Sequence, residues 1–324
     1  MPHDVTLIPG FSPDDTPLTK AVAAVVAATG AEISWRRTSL ADGVGDDVLD
    51  AIKSTGRALM PYVPVDRSRG AVPPIVELRR QLGVWGNLRP IETVPGLGGR
   101  HPDVDILIVR ETTEDIYANL EHESIEGVYE SFKVTTAKAC ERITRHAFEL
   151  AKRRGRKKVT IVHKANIMKK SDGLFLRTGR KVAEEFPDIE VEDVIVDALC
   201  MKLALYPERF DVVVCANLFG DIVADLCAGL VGGAPNCPSL NVADGASIYT
   251  AGHGDKPDIA TTENACPTSL FFSAVLMLRD LDEGEAADKL MKATSDTLEA
   301  GVRPIALGGE ATVTAFAEAV AGRV

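Results

Sequence analysis

Phe210–Cys227, FDVVVCANLFGDIVADLC, changes character part-way along. Phe210-Asp211-Val212-Val213-Val214-Cys215-Ala216 is an apolar, β-branched run of the kind that forms a short buried strand. The following NLFGDIVADLC is also largely apolar, yet it carries Asp221 and Asp225 four residues apart. At helical spacing such a pair shares one face, where like charges repel by on the order of a few tenths of a kcal/mol, and by more if desolvated. Two readings stand. Asp221 is a helix N-cap with Asp225 facing water, or something positive sits between two ligating carboxylates. The pair follows the carboxyl end of a strand, which is where ligands bind in α/β folds.

Working outward, strands and helices alternate. Val191–Ile195 and Lys158–His163 read as strands, with Asp172–Glu185 as the helix between them. Thr135–Arg153 is a long helix with one apolar face, preceded by the buried strand Val104–Val109. Toward the N-terminus come strands at Val5–Ile8, Glu32–Trp35 and Ala58–Met60, with helices at Leu18–Ala28, Val48–Ser54 and Val76–Gln81. Toward the C-terminus, Leu270–Leu281 and Glu285–Glu299 read as helices. This alternation argues for an α/β protein with a parallel or mixed sheet. The glycine-rich PGLGGRH around Gly96–Gly99 lacks the third glycine of a dinucleotide fingerprint and follows no strand, so it reads as a loop between lobes.

At 324 residues the chain suits two domains or lobes. Its 36 basic and 47 acidic residues leave a net charge of −11, which argues against nucleic-acid or membrane-surface partners but allows a small basic pocket for an anion. The six cysteines form no CxxC pair, so buried thiols in a reducing cytoplasm are expected rather than a disulfide framework or zinc site. MPHDVTLIPG has no basic segment leading into an apolar stretch, so it does not read as a signal peptide. The longest apolar segment, near Leu270–Leu278, is too short to span a bilayer.

Basic residues gather near element ends. Arg79 lies on a helix in LRRQLGVWGNLRP, Arg89 just beyond that helix, and Arg110 directly after the strand VDILIV. Each could be a surface residue; together they could clamp carboxylates in bidentate fashion. Lys164 follows its strand directly and is either solvated or a proton-transfer group. Tyr117 in TEDIYANLEH is either a candidate acid or an aromatic packed at a lobe boundary.

From about Leu78 to Leu278 these pieces resemble, in order and spacing, the metal-dependent β-decarboxylating dehydrogenases acting on isocitrate, homoisocitrate and 3-isopropylmalate. The carrying motifs are LRRQLGVWGNLRP, VRETTEDIYANLEH, VHKANIMKKSDGLF, IVDALCMKLALYPERFDVVV, NLFGDIVADLCAGLVGG and HGDKPDIA, and the wording is most similar to the NAD-linked isocitrate branch. The resemblance implies a two-lobed isocitrate/isopropylmalate dehydrogenase-like fold, a mixed sheet flanked by helices and not a Rossmann fold. Residues 1–97 and 245–324 would form a large, cofactor-side domain, and 98–244 a small domain with the dimerisation, metal and substrate residues.

It also implies a site. Asp221 and Asp225, with Asp197 of the partner subunit, would bind Mg²⁺ or Mn²⁺, for which hard oxygen ligands are suited. Arg79, Arg89 and Arg110 match the carboxylate clamps. Lys164, also from the partner subunit, would assist loss of the hydroxyl proton, and Tyr117 would reprotonate the enol at C3. Asn166, His253, Gly254 and Asp258 would contact the cofactor, the last favouring NAD because a carboxylate repels a 2′-phosphate. A homodimer with shared sites follows. The implied reaction is oxidative decarboxylation of a 3-substituted malate, a small anionic 2-hydroxy acid: isocitrate, homoisocitrate or an anionic analogue such as a phosphonate. A 3-isopropylmalate-type enzyme or a non-catalytic regulatory member of the fold are the alternatives.

Two regions depart from the pattern. PGFSPDDTPLT replaces an acidic, glycine-rich turn, and TTENACPT replaces the usual adenosine loop. Pro73 and Ile75 stand where isocitrate enzymes have Ser and Asn, while Arg67 and Arg69 add charge nearby. Those two arginines either meet an anionic tail or belong to a solvated loop.

Overall fold

A computed structural model describes residues 2–65, 72–252 and 259–324. The chain divides into two compact units, Met1–Gly83 with Thr93–Arg100 and Val231–Val324, and Val84–Glu92 with His101–Leu230. These divisions differ from 97/98 and 244/245, and strand pairing explains why. Residues 86–92 pair with 105–111 in the second unit, and residues 238–243 pair with 246–251 in the first. Elements are numbered along the chain.

In the first unit β1 (His3–Leu7), β2 (Ile33–Arg37), β3 (Arg57–Met60), β11 (Pro238–Ala243) and β12 (Ala246–Ala251) lie in the order β2-β1-β3-β12-β11. All neighbours are parallel except the β11–β12 hairpin. Among the described residues its helices are α1 (Pro17–Ala28), α2 (Asp46–Thr55), α3 (Pro74–Gln81), α8 (Thr268–Asp280), α9 (Gly284–Glu299) and α10 (Val313–Ala321). Residues 268–278 of α8 are all buried, which accounts for the unbroken apolar run; it is a core helix. Among the described residues no helix is long and apolar enough to cross a membrane. The glycine-rich loop serves packing. Gly96 has φ +84°, and a Cβ there would stand 2.5 Å from the Leu298 backbone.

In the second unit β4 (Gly86–Glu92), β5 (Asp105–Glu111), β8 (Lys158–His163), β9 (Glu190–Ile195) and β10 (Val212–Cys215) lie in the order β4-β5-β10-β8-β9. All are parallel except β4. Strands β5, β8 and β10 are almost wholly buried, as parallel strands covered on both faces must be. Helices α4 (Ala137–Arg153), α5 (Ser171–Ala183), α6 (Val196–Leu205) and α7 (Asn217–Leu230) accompany them. A two-stranded hairpin, β6 (Glu121–Ile125) and β7 (Val128–Ser131), is exposed at every position. The carboxyl ends of β5, β8 and β10 deliver Arg110, Lys164 and the start of α7, the arrangement expected of an α/β ligand site.

Candidate active site

Helix α7 begins at Asn217, four residues before Asp221, so Asp221 is an interior residue and not the N-cap. The free amide of Leu218 is instead met by Asp115, whose Oδ2 accepts it at 3.1 Å. Asp221 and Asp225 therefore lie one turn apart, and each is met by an arginine. Arg110 donates from Nη1 to Asp221 Oδ1, and Arg89 Nη1 stands 2.7 Å from Asp225 Oδ1. The positive charge that the spacing demanded is present twice. Both arginines lie inside strands rather than beyond element ends: β5 extends past the apolar run that marked it, and Arg89 lies in β4, a strand the sequence reading did not find.

Arg110 is only 3% exposed. Its Nε and Nη2 donate to Asn217 Oδ1 at 2.9 and 2.7 Å, leaving Nη1 for Asp221. Gly220 makes this approach possible, since a Cβ there would meet Arg110 Cγ at 2.6 Å. Tyr117 sits in the turn Ile116–Ala118 and donates its phenol proton to Asp221 Oδ2 at 2.5 Å. The Arg110 guanidinium carbon lies 5.1 Å from its ring centroid, a cation–π distance. Burial lowers the Arg110 pKa, against the nearby Asp221 carboxylate. Burial and then the hydrogen bond to Asp221 raise that of Tyr117, which keeps the phenol protonated as a donor.

Lys164 and Asp197 form a separate pair. Lys164 Nζ stands 2.7 Å from Asp197 Oδ1, just after β8 and in the first turn of α6 respectively. That bond lowers the Asp197 pKa. Among the described residues no hydrogen bond or ion pair joins this pair to Asp221, Asp225 or Tyr117. Nor, among them, do three His, Cys, Asp or Glu side chains converge as a metal site within one chain. Asn166 is exposed in the turn after Lys164. Arg79 belongs to the first unit, where its Nε donates to Asn241 Oδ1 at 2.8 Å. Arg67, Arg69, His253, Gly254 and Asp258 lie outside the described residues.

Sequence reasoning missed Asn217, Gly220 and Asp115. Asn217 and Gly220 precede the quoted aspartates, and a glycine inside a helix that faces a strand is a readable signal of close approach.

A family model described as isocitrate/isopropylmalate dehydrogenase matches residues 38–320. The chain belongs to that family. A catalytic subunit of NAD isocitrate dehydrogenase from Arabidopsis thaliana, mitochondrial by name, is 46% identical over 245 residues, 75% of this chain and 66% of that subunit. The match therefore spans just under two thirds of that relative's length. A mitochondrial subunit from Dictyostelium discoideum, named as a regulatory subunit of NAD isocitrate dehydrogenase, is 38% identical, with 99% of this chain and 91% of the relative covered. Among solved structures, isocitrate dehydrogenase from Methylococcus capsulatus superposes with a TM-score of 0.90 at 37% identity, covering 99% of each chain. The mixed α/β fold and the family resemblance of the six motifs are both confirmed.

Proposed function

We propose that this family member catalyses NAD- and divalent-metal-dependent oxidative decarboxylation of a 3-substituted malate. One observation carries the reading: Asp221 holds both the buried Arg110 guanidinium and the Tyr117 phenol, one helical turn from Asp225. That is an anion clamp, a proton donor and two hard oxygen ligands in one place. Binding alone would not need the proton donor beside the other two.

Arg110 and Arg89 would turn from the aspartates to the substrate carboxylates, with Arg79 completing the clamp. Tyr117, protonated and half exposed, would deliver the proton to C3 after carbon dioxide leaves. Lys164 would take up the hydroxyl proton at C2, directly or through water. Asn166 would lie beside the nicotinamide, with His253, Gly254 and Asp258 on the rest of the dinucleotide.

The donor set of Asp221 and Asp225 fits Mg²⁺ or Mn²⁺, two carboxylates on one helix face with Asp225 largely exposed. When bound, the metal would supply Lewis-acid stabilisation of negative charge and NAD a hydride acceptor. Asp197 of the partner subunit would complete the metal ligands. The reading is supported by the Lys164–Asp197 ion pair, which among the described residues no hydrogen bond or ion pair joins to Asp221. Ile125, Tyr129 and Phe132 on and beside the exposed hairpin, and Met201 and Ile222 on α6 and α7, are apolar surface for a second copy to cover. A cytoplasmic location belongs to the same proposal and is supported by six cysteines that are all free.

The substrate side group admits a second reading. Helix α3 carries Arg79, and ahead of it Val72 and Val76 are exposed, with Ile75 one turn before the arginine. Apolar residues there favour a 3-alkylmalate, whereas an anionic group would look to Arg67 and Arg69. Incubation with NAD, Mn²⁺ and a panel of 3-substituted malates decides this. NADH formation with at least one member is expected, and its side group identifies the class. No NADH from any member would overturn the proposal.

A further inference from the structure

Outside the residues already assigned, one charged side chain touches the supports of Tyr117, of Lys164 and of the head of helix α7. Lys133 is 15% exposed at its side chain, and its Nζ stands 2.6 Å from Asp172 Oδ1 and 3.7 Å from Asp115 Oδ2. Both aspartates are only 2% exposed. The same Nζ lies 4.8 Å from the Phe219 ring centroid.

Each contact leads to a different working group. Asp172 Oδ2 accepts the backbone N–H of Lys164 at 2.6 Å, fixing the chain from which that lysine departs. Asp115 Oδ1 accepts the N–H of Ile116 at 2.9 Å and so shapes the turn that carries Tyr117. Asp115 Oδ2 accepts the Leu218 amide at the head of α7, three residues before Asp221. Phe219 is two residues before Asp221 on that helix. Asp115 is itself at φ +75°, a conformation that non-glycine residues adopt only when their surroundings impose it. Its backbone is tied to Val134, the neighbour of Lys133, by bonds of 2.9 and 3.4 Å.

The charges suit burial. Each carboxylate lies at a helix N-terminus, Asp115 at α7 and Asp172 in the first turn of α5, where amide dipoles favour negative charge. One lysine between them offsets a repulsion that would otherwise part the elements. We propose that Lys133 is a positioning residue: through Asp115 it places Tyr117 and the α7 aspartates for one site, and through Asp172 it places Lys164 for the site shared with the partner subunit. This rests on the roles assigned to those groups above.

The test is Lys133→Met in the full-length protein, read in two ways. Steady-state kinetics with the best malate of the panel should show kcat lower by about 100-fold with KM within about threefold, because misplaced groups cost rate rather than ground-state affinity. Amide exchange should quicken by about tenfold or more at Ile116, Leu218 and Lys164 and stay unchanged in the first unit. A variant that keeps kcat within about twofold overturns the proposal, as does exchange that is unchanged at those three amides or accelerated evenly throughout. Should the wild-type protein turn over no malate, the catalytic assignment fails, while the exchange measurement still decides the positioning. Should Lys133→Met not fold, Asp172→Asn replaces it. That variant keeps an acceptor for the Lys164 amide and removes the charge that holds Lys133, and the same kcat and exchange criteria apply.

Discussion

At the scale of single residues, the account stands on Asp221. Asp221→Asn should lower kcat/KM by more than about a hundredfold at any Mn²⁺ concentration, because on the proposed reading it removes a carboxylate that would bind the metal. The fold should survive, since Arg110 keeps both bonds to Asn217 and an amide oxygen can still accept its Nη1. Circular dichroism and kinetics on one preparation check both halves. Tyr117→Phe should slow the overall decarboxylation by about 100-fold or more while sparing hydride transfer, measured as reduction of the matching 2-oxo acid. Equal loss in both would remove the phenol from its role as late proton donor. Much of this site was legible: the aspartate pair called for positive charge, and Arg89 and Arg110 supply it. The depth of Arg110 was not. A charge at the end of an apolar run reads as a strand end, yet here it stays in the ladder because Asn217 and Asp221 satisfy it.

Among the elements, α7 depends on its glycine. Gly220→Ala should raise intrinsic helix propensity by about 1 kcal/mol, but its Cβ would press on Arg110 Cγ at 2.6 Å, and that side chain is anchored at its head. Overpacking of this kind costs about 1–3 kcal/mol, so net destabilisation with reduced activity is expected from chemical denaturation and kinetics. A more stable, fully active variant would contradict the packing described. Helix α4 offers a pH test. Burial, and then Arg153 and Arg154, hold His146 down to about 4. The unfolded chain therefore takes up this proton first, and stability should fall as pH drops from about 6.5 toward 4. His146→Gln should flatten that part of the curve in denaturation series run across the range; an unchanged slope would show that the histidine does not contribute. The exposed hairpin escaped the sequence reading for a physical reason. Strands β6 and β7 have no buried face, so no alternation marks them. The β11–β12 hairpin was readable from Asp244-Gly245, a dipeptide favouring a two-residue turn, with Gly245 at φ +78°.

For the whole molecule, the proposed reading has the Lys164–Asp197 pair of one chain serve Asp221 of its partner, so that each site is built by two chains. Lys164→Met and Asp221→Asn, each inactive alone, should recover about a quarter of wild-type sites when mixed at equal amounts and fully exchanged, since half the dimers are mixed and each holds one intact site. No recovery after exchange confirmed by mass would argue for sites built within a single chain. Family and fold could be read from motif order because six motifs in family sequence and spacing are far more specific than any one of them. The substrate could not, because the residues that would choose the side group, Ile75, Val72 and Val76, are chosen by shape and leave no charge pattern to read. The central claim is that oxidation and decarboxylation are one metal-dependent reaction at this site. Its most direct test is simultaneous measurement of NADH and carbon dioxide from the best 3-substituted malate, with Mn²⁺, with EDTA, and with Mn²⁺ restored. Equal yields of both products, lost together with EDTA and regained together, are expected; NADH without carbon dioxide, or turnover indifferent to the metal, would contradict the account.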